Sequence, residues 1–303
     1  MSDITVRRLD ETDLDDVLDL LHLALGWEPT DRFRRYFDWK HRSSPFGDSP
    51  GWIALDGGQI VGVRLFQRWE LAAGGATIRA VRAVDTATHP EHRGRGIFRT
   101  LTMAAVEELT ADGVGFVFNT PNDKSMPGYL KMGWVVGGRL PVGMLPAPRP
   151  RSLLRLRSAR TGAERWPLDT DVGAPAAFSA GDGTDRRDDD RLRIVRTPAY
   201  LTWRYGWPEL GYRRSRIDGA DLVWRLRRRG EATELTLSDS FGASAPLAPA
   251  KLLRSTGADV ALGHRRPGLL PAPRLGPIVT LRPLAEHVAW DDLRFTMGDI
   301  ELF

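Results

Sequence analysis

The chain contains no cysteine. Disulfide scaffolds, thiolate nucleophiles and Cys-ligated zinc or iron–sulfur sites are therefore excluded. Lysine is almost missing: Lys40, Lys124, Lys131 and Lys251 are the only four in 303 residues. The 43 Lys+Arg are thus nearly all arginine, and 39 Asp+Glu leave a formal net charge of only +4. That balance does not single out nucleic acid as a partner. No stretch approaches the roughly 18 uninterrupted apolar residues of a membrane span, and Met1 to Arg8 has no apolar run of secretory type. A soluble cytoplasmic protein with neither nucleic-acid nor membrane partners is expected. Six histidines at 22, 41, 89, 92, 264 and 287 show no metal-ligand spacing, so no metal is expected.

What is present is a patterned chain. Ile4 to Arg8 alternates as a short strand, and Leu14, Val17, Leu18, Leu21 and Leu25 recur at helical spacing. Arg32 to Lys40 is aromatic-rich and reads as a helix. Trp52 to Leu55 and Ile60 to Gln67 flank Asp56-Gly57-Gly58, a hairpin signal. Ile78 to Thr88 predicts a longer strand, and Glu91 to Gly96 a charged loop. Phe98, Leu101, Ala105 and Leu109 mark one face of a helix, and Val114 to Asn119 is a short apolar strand. Strand, glycine loop, helix and strand make one βαβ unit, which requires a parallel pair in an α/β sheet.

From Leu145 the composition shifts. Pro146, Pro148 and Pro150 open a segment rich in Arg, Ala, Gly and Asp, and Arg186 to Arg191 has mixed charge and no apolar face. Residues 146–190 are expected as a linker or irregular segment between a domain at 1–145 and a second at 191–303. In that second part, Leu222 to Arg228 and Thr233 to Asp239 predict a hairpin and Pro246 to Thr256 a helix. Val260 to Leu262, Ile278 to Leu281 and Leu293 to Phe303 predict strands. The aromatics of Tyr200 to Trp207 are expected to pack a core, with Trp203 or Tyr205 as alternative pocket residues. The arginines of Leu153 to Arg160 read as a solvated basic face.

The chemistry concentrates in Arg93-Gly94-Arg95-Gly96-Ile97-Phe98. Glycines between a strand and a helix let several backbone N–H groups converge, and the helix N-terminus adds positive potential. Two adjacent arginines suit phosphate oxygens. This predicts a phosphate or pyrophosphate cradle, with neither the nucleotide P-loop pattern nor the dinucleotide fingerprint.

The same residues resemble the Arg/Gln-x-x-Gly-x-Gly/Ala loop of the GNAT acyltransferase superfamily, with Phe98 where Gly or Ala is usual. Downstream, Asn122, Ser125, Tyr129, Gly133 and Trp134 fall in register with a second motif of that superfamily. The resemblance covers about residues 1–145. It implies the GNAT fold, an α/β (α+β) domain whose mixed, mostly antiparallel central sheet is flanked by helices. It further implies acetyl-CoA, or another acyl-CoA, as co-substrate and an amine acceptor, expected to be a small molecule. The loop Arg93–Phe98 would hold the pyrophosphate. The preceding strand (Val84, Thr86, Ala87, Thr88), with Asn119, Asn122 and Ser125, would hold the pantetheine arm, although helix capping is an alternative for the asparagines. Tyr129 would be the general acid. Asp85 is open between removing a proton from the acceptor amine and serving as a structural hydrogen-bond acceptor. The C-terminal part is expected as a degenerate GNAT-like domain, as in tandem members. Without cysteine, transfer must be direct. A tandem protein that binds acyl-CoA as a sensor or scaffold is the alternative function.

Overall fold

The alternating residues Thr5–Arg8 form strand β1 of the computed structural model, which describes residues 4–158, 162–182 and 190–300. Asp10 and Asp13 close a reciprocal capping box before helix α1 (Leu14–Leu25). That helix buries Val17, Leu20 and Leu21 and stops at Gly26, whose φ of +69° suits glycine. Helix α2 (Asp31–Arg42) buries Phe33, Tyr36, Phe37 and Trp39, and in its last turn Lys40 and His41 as well. Strands β2 (Gly51–Asp56), β3 (Gln59–Ala73) and β4 (Ala76–Thr88) follow as an antiparallel meander. Helix α3 (Ile97–Ala111), β5 (Phe116–Asn119), helix α4 (Met126–Lys131) and β6 (Val135–Arg139) complete this series.

Two later segments enter the same sheet. Its order is β1-β2-β3-β4-β5, then Ile278–Pro283, then β6, and Arg193–Ile194 pairs with β3. Only β4 and β5 are parallel among the registered pairs. One core cluster packs α3, through Ile97, Leu101, Ala105 and Leu109, onto Trp52, Val61, Phe66, Val81 and Val117. Each large aliphatic side chain of this set stabilises the fold by about 1.5–3 kcal/mol on burial.

The chain divides into two units that interleave. Unit 1 is Met1–Gly138, Asp190–Ile194 and Val279–Leu293; unit 2 is Arg139–Asp189, Val195–Ile278 and Arg294–Phe303. The consecutive division expected at 145 and 190 is therefore not how the units are built. β5 supplies the reason: Phe116, Val117 and Phe118 are fully buried, so both edges need a partner. β4 covers one edge and Ile278–Pro283 the other.

Unit 2 repeats the theme of hairpin, helix and parallel strand. Ala220–Arg229 and Ala232–Gly242 pair antiparallel, the helix Ala248–Thr256 follows, and Val260–His264 lies parallel to Ala232–Gly242. Val142–Pro146 covers the far edge of Val260–His264. The stretch expected as linker is partly structured: Pro150–Leu156 is helical, and Ser152 Oγ donates to Asp259 Oδ1 at 2.6 Å. Most of the charged cluster Arg186 to Arg191 lies outside the described residues, as does Arg160 of the basic face. Leu293 to Phe303 was expected as a strand; Met297–Ile300 is instead one helical turn. Trp203 and Tyr205 are buried, and the Tyr205 hydroxyl donates to Asp239 Oδ2 at 2.8 Å, so they belong to the interior of unit 2.

Candidate active site

The glycine loop makes an open turn at a helix start. Gly94 and Gly96 both have φ of +79°, and a Cβ at either would meet nothing within 4 Å. Both glycines thus face open space. Gly96 is the N-cap of α3, and no acidic residue occupies the first turn. The N–H groups of Ile97, Phe98 and Arg99 precede the first intrahelical donor, Thr100, which bonds Gly96 O at 3.0 Å. Arg93 is exposed. Arg95 is drawn aside by Asp56, with Nη1 2.5 Å from Oδ2, and by His92 Nδ1 at 2.7 Å. Its side chain is engaged within the protein, which leaves Arg93 as the freer of the two arginines.

The strand feeding this loop leaves its partner. β4 and β5 pair only from Ala80 with Phe116 to Arg82 with Phe118. Beyond that, Val84, Asp85, Thr86, Ala87 and Thr88 keep β3 on one edge and have no β5 residue on the other. Opposite Arg64, β4 carries two residues, Asp85 and Thr86, a β-bulge between the pairs Val63–Ala87 and Leu65–Val84. Asp85 has φ of +38°, a backbone state that costs a non-glycine residue about 1–3 kcal/mol.

Two side chains from α2 hold that conformation. Lys40 Nζ lies 2.7 Å and His41 Nε2 2.8 Å from Asp85 Oδ2. Burial alone would push the Asp85 carboxyl up. The Lys40 charge and the His41 hydrogen bond outweigh it and hold the carboxyl far below the ordinary carboxylate range. Burial likewise pushes the His41 imidazole down, more than Asp85 raises it. A carboxylate so stabilised is a weak proton acceptor. Asp85 is thus engaged by Lys40 and His41, the arrangement of a structural hydrogen-bond acceptor.

Tyr129 is buried on α4, its ring edge-to-face with Phe98 at 5.3 Å and tilted on Trp134 at 5.2 Å. No hydrogen bond engages its hydroxyl among the described residues. Phe98 is accommodated because its ring lies where a Gly128 side chain would be: a Cβ there would sit 3.0 Å from Phe98 Cε1. Asn122 Oδ1 accepts from Lys124 N at 3.1 Å and Ser125 N at 3.0 Å, and Ser125 Oγ donates to Asn122 O at 3.3 Å. These two build the turn into α4, the capping alternative. Asn119 is buried, and its Oδ1 accepts from Thr280 Oγ1 at 2.6 Å, so its carbonyl oxygen joins strands.

Arg64, fully buried on β3, was not singled out by the sequence. It donates to Thr86 Oγ1 and stacks over Phe66 at 4.6 Å, Tyr129 at 5.3 Å and Phe98 at 5.6 Å. At the start of α2 a cavity of about 290 Å³ is lined by the carboxylates Asp15, Asp19, Glu28 and Asp31, by His22 and Arg34, the latter paired with Asp15, and by Trp27 and Phe33. In unit 2 the corresponding helix start carries Pro249 in its first turn, and proline removes one of the backbone donors.

A splayed parallel pair, an open glycine turn at a helix N-terminus and a tyrosine beside it mark the class: an α/β domain with a βαβ unit whose parallel strands part beside the helix start. Comparison with known proteins adds to this. Residues 5–137, within unit 1, match the family model described as an acetyltransferase (GNAT) domain. Solved structures share the fold along the chain. A GCN5-related N-acetyltransferase from Kribbella flavida aligns with a TM-score of 0.62 at 17% identity, covering 94% of this chain and 72% of its own. A conserved protein of unknown function from Enterococcus faecalis, described as a probable N-acyltransferase, gives 0.61 at 14% identity, with 94% and 73% covered. Eis1 from Mycobacterium abscessus gives 0.54 at 16% identity, with 93% and 74% covered. No curated protein matches by sequence. The fold class is thus the expected one, a mixed α/β GNAT-like fold, with its two units interleaved along the chain.

Proposed function

We propose that the protein transfers an acyl group, in the simplest case acetyl, from acyl-CoA to the amine of a small molecule. The observation that carries this reading is the conjunction of a β4 edge left open after Arg82 with the open Gly94–Gly96 turn at the start of α3. The turn and Arg93 would bind the pyrophosphate through backbone donors and one guanidinium, with Arg95 held in reserve by Asp56. The free edge of Val84 to Thr88 would pair with the amide groups of the pantetheine arm, as a neighbouring strand would.

The acceptor amine, as free base, attacks the thioester carbonyl carbon. The C–N bond forms, the C–S bond breaks, and the Tyr129 hydroxyl gives its proton to the departing sulfur; the attacking nitrogen sheds its extra proton to solvent water, from which the phenolate is reprotonated. A phenol suits this step because a phenol and an alkyl thiol are acids of comparable strength. The acidic cavity at the start of α2 matches a cationic acceptor in charge. It lies seven residues, roughly 10 Å of helix, from the Lys40–His41 end that grips Asp85.

Thiol release from acetyl-CoA over a panel of amines tests the reading. Tyr129→Phe is expected to lower kcat about 10²-fold or more with little change in KM for the coenzyme. Gly96→Glu, which sets a carboxylate in the cradle, is expected to abolish coenzyme binding in calorimetry. Unchanged affinity in Gly96→Glu refutes the loop assignment, and coenzyme binding without turnover on any amine favours a sensor.

A further inference from the structure

Helix α5 (Pro150–Leu156) has its polarity inverted for a helix on a protein surface. Ser152 is its buried residue, donating to the buried Asp259, whereas the next two residues, Leu153 and Leu154, are 55% and 61% exposed. A surface helix ordinarily turns its leucines to the core and its polar side chains to water. Here polar contacts hold the inner face. Arg155 Nη1 lies 3.4 Å from Asp259 Oδ2, Arg149 Nη1 donates to Gly257 O at 3.0 Å, and Ala147 N donates to Asp259 O at 2.8 Å. Beyond the helix, Ser158 Oγ accepts from Glu231 N at 3.1 Å. The leucines are thus fixed outward by bonds in which they take no part. Single exposed leucines are ordinary; an adjacent pair displayed on a pinned helix is a patch.

The charge around the pair is of one sign. Between Asp123 and Glu164 the sequence has no acidic residue and eight cations, Arg149, Arg151, Arg155 and Arg157 among them. The whole chain carries a net charge of only +4, so the remainder is net acidic. Arg149 and Arg155 are tied to unit 2. Arg151 and Arg157 bracket the leucines and are exposed, and their side chains form no ion pair or hydrogen bond among the described residues. Glu231, whose N–H meets Ser158, is the acid at the C-terminal end.

Composition separates the partners that a basic, apolar face could meet. RNA takes arginine but is held by aromatic stacking, and residues 147–158 contain no aromatic side chain. A stable protein interface buries on the order of 1,000 Å² or more, far beyond a helix about 10 Å long. An anionic bilayer needs no complementary shape: leucines enter at the acyl boundary one by one while arginines stay among the phosphates. We infer that α5 is a peripheral membrane contact, in which Leu153 and Leu154 insert into an anionic phospholipid surface and Arg151 and Arg157 pair with its phosphates. This gives a partner to the arginine face that the sequence alone left solvated. Two leucines and two arginines make a reversible, salt-sensitive attachment.

Co-sedimentation of the full chain with vesicles tests the inference, using phosphatidylcholine alone and phosphatidylcholine mixed equally with phosphatidylglycerol. Wild type is expected to bind the mixed vesicles about tenfold or more tighter than the neutral ones, and to lose that advantage in high salt. The double variant Leu153→Ser, Leu154→Ser changes no charge and is expected to weaken binding to mixed vesicles about tenfold. Arg151→Gln with Arg157→Gln is expected to weaken it by a similar factor, about tenfold. All four side chains are exposed, so both double variants should keep the wild-type thermal midpoint. Wild-type binding no tighter to mixed than to neutral vesicles overturns the inference. Undiminished binding by the leucine variant overturns it too, since only a general attraction between arginines and anions would then remain. An RNA oligomer bound through Arg151 and Arg157 but not the leucines, with vesicles left unbound, replaces the membrane by nucleic acid.

Discussion

Asp85 concentrates more strain and charge than any other residue of the candidate site: a positive φ, a buried carboxylate, and two nitrogens within hydrogen-bond distance of one oxygen. The Asp85→Asn variant keeps the shape and removes the anion facing Lys40, an interior change worth about 3–5 kcal/mol. Chemical denaturation should show that loss, and a midpoint within error of wild type would mean the ion pair does not pin the bulge. The pH dependence separates the partners. His41 is held neutral in the fold, so the unfolded chain binds more protons below the ordinary histidine value of about 6.5. Stability therefore falls as pH drops through about 6.5 toward 5, and His41→Gln should flatten that decline relative to wild type. The Asp85 contribution has a different window, because its carboxyl is depressed. It is complete above about 3.9 and fades only as pH falls below that. Identical slopes for wild type and His41→Gln between pH 7 and 5 would remove the assignment of a neutral imidazole.

Among the elements, the start of α3 depends on a close approach to β3. A Cβ on Gly62 would lie 2.5 Å from Ile97 Cγ2 and 3.0 Å from Leu101 Cδ1. Gly62→Ala must therefore push the first turn of α3 away from the sheet, at about 1–3 kcal/mol of overpacking. Because that turn carries the donors proposed for the pyrophosphate, coenzyme affinity is expected to fall by about tenfold. Calorimetry with CoA checks it; undiminished affinity would show that the cradle tolerates displacement of its helix. This βαβ element was legible in the sequence because its signals are local: an apolar strand, a glycine loop and helical periodicity in adjacent residues. Asp85 could only be left open, since its partners lie 44 and 45 positions earlier in the chain and no periodicity links them. Arg64 left a usable trace, sitting inside the otherwise apolar run Ile60 to Phe66. A charge in a strand buried on both faces must be inside the protein, and reading the run simply as strand passed over it.

For the molecule as a whole, order along the chain and order in space differ, and this bears on how unit 1 can be isolated. The motifs end by Trp134, so residues 1–145 read as a complete domain. In the structure, the β5 edge carrying Phe116, Val117 and Phe118 is closed by Ile278–Pro283, and Leu71 and Ala72 of β3 pair with Ile194 and Arg193. Gly137 and Gly138 lie against Trp290, and a Cβ on Gly138 would be 2.4 Å from its Nε1. A fragment ending at residue 145 would keep every motif of the candidate site yet expose the unpaired edge of a strand with three consecutive buried apolar residues, a template for aggregation. It is expected to be insoluble or molten when expressed alone. Adding residues 275–293 in trans, or grafting them after residue 140 through a short flexible linker, should restore cooperative unfolding and coenzyme binding. A soluble fragment 1–145 with a cooperative melt and wild-type CoA affinity would show that the late strand is dispensable, and that the site needs only the segments the sequence places side by side.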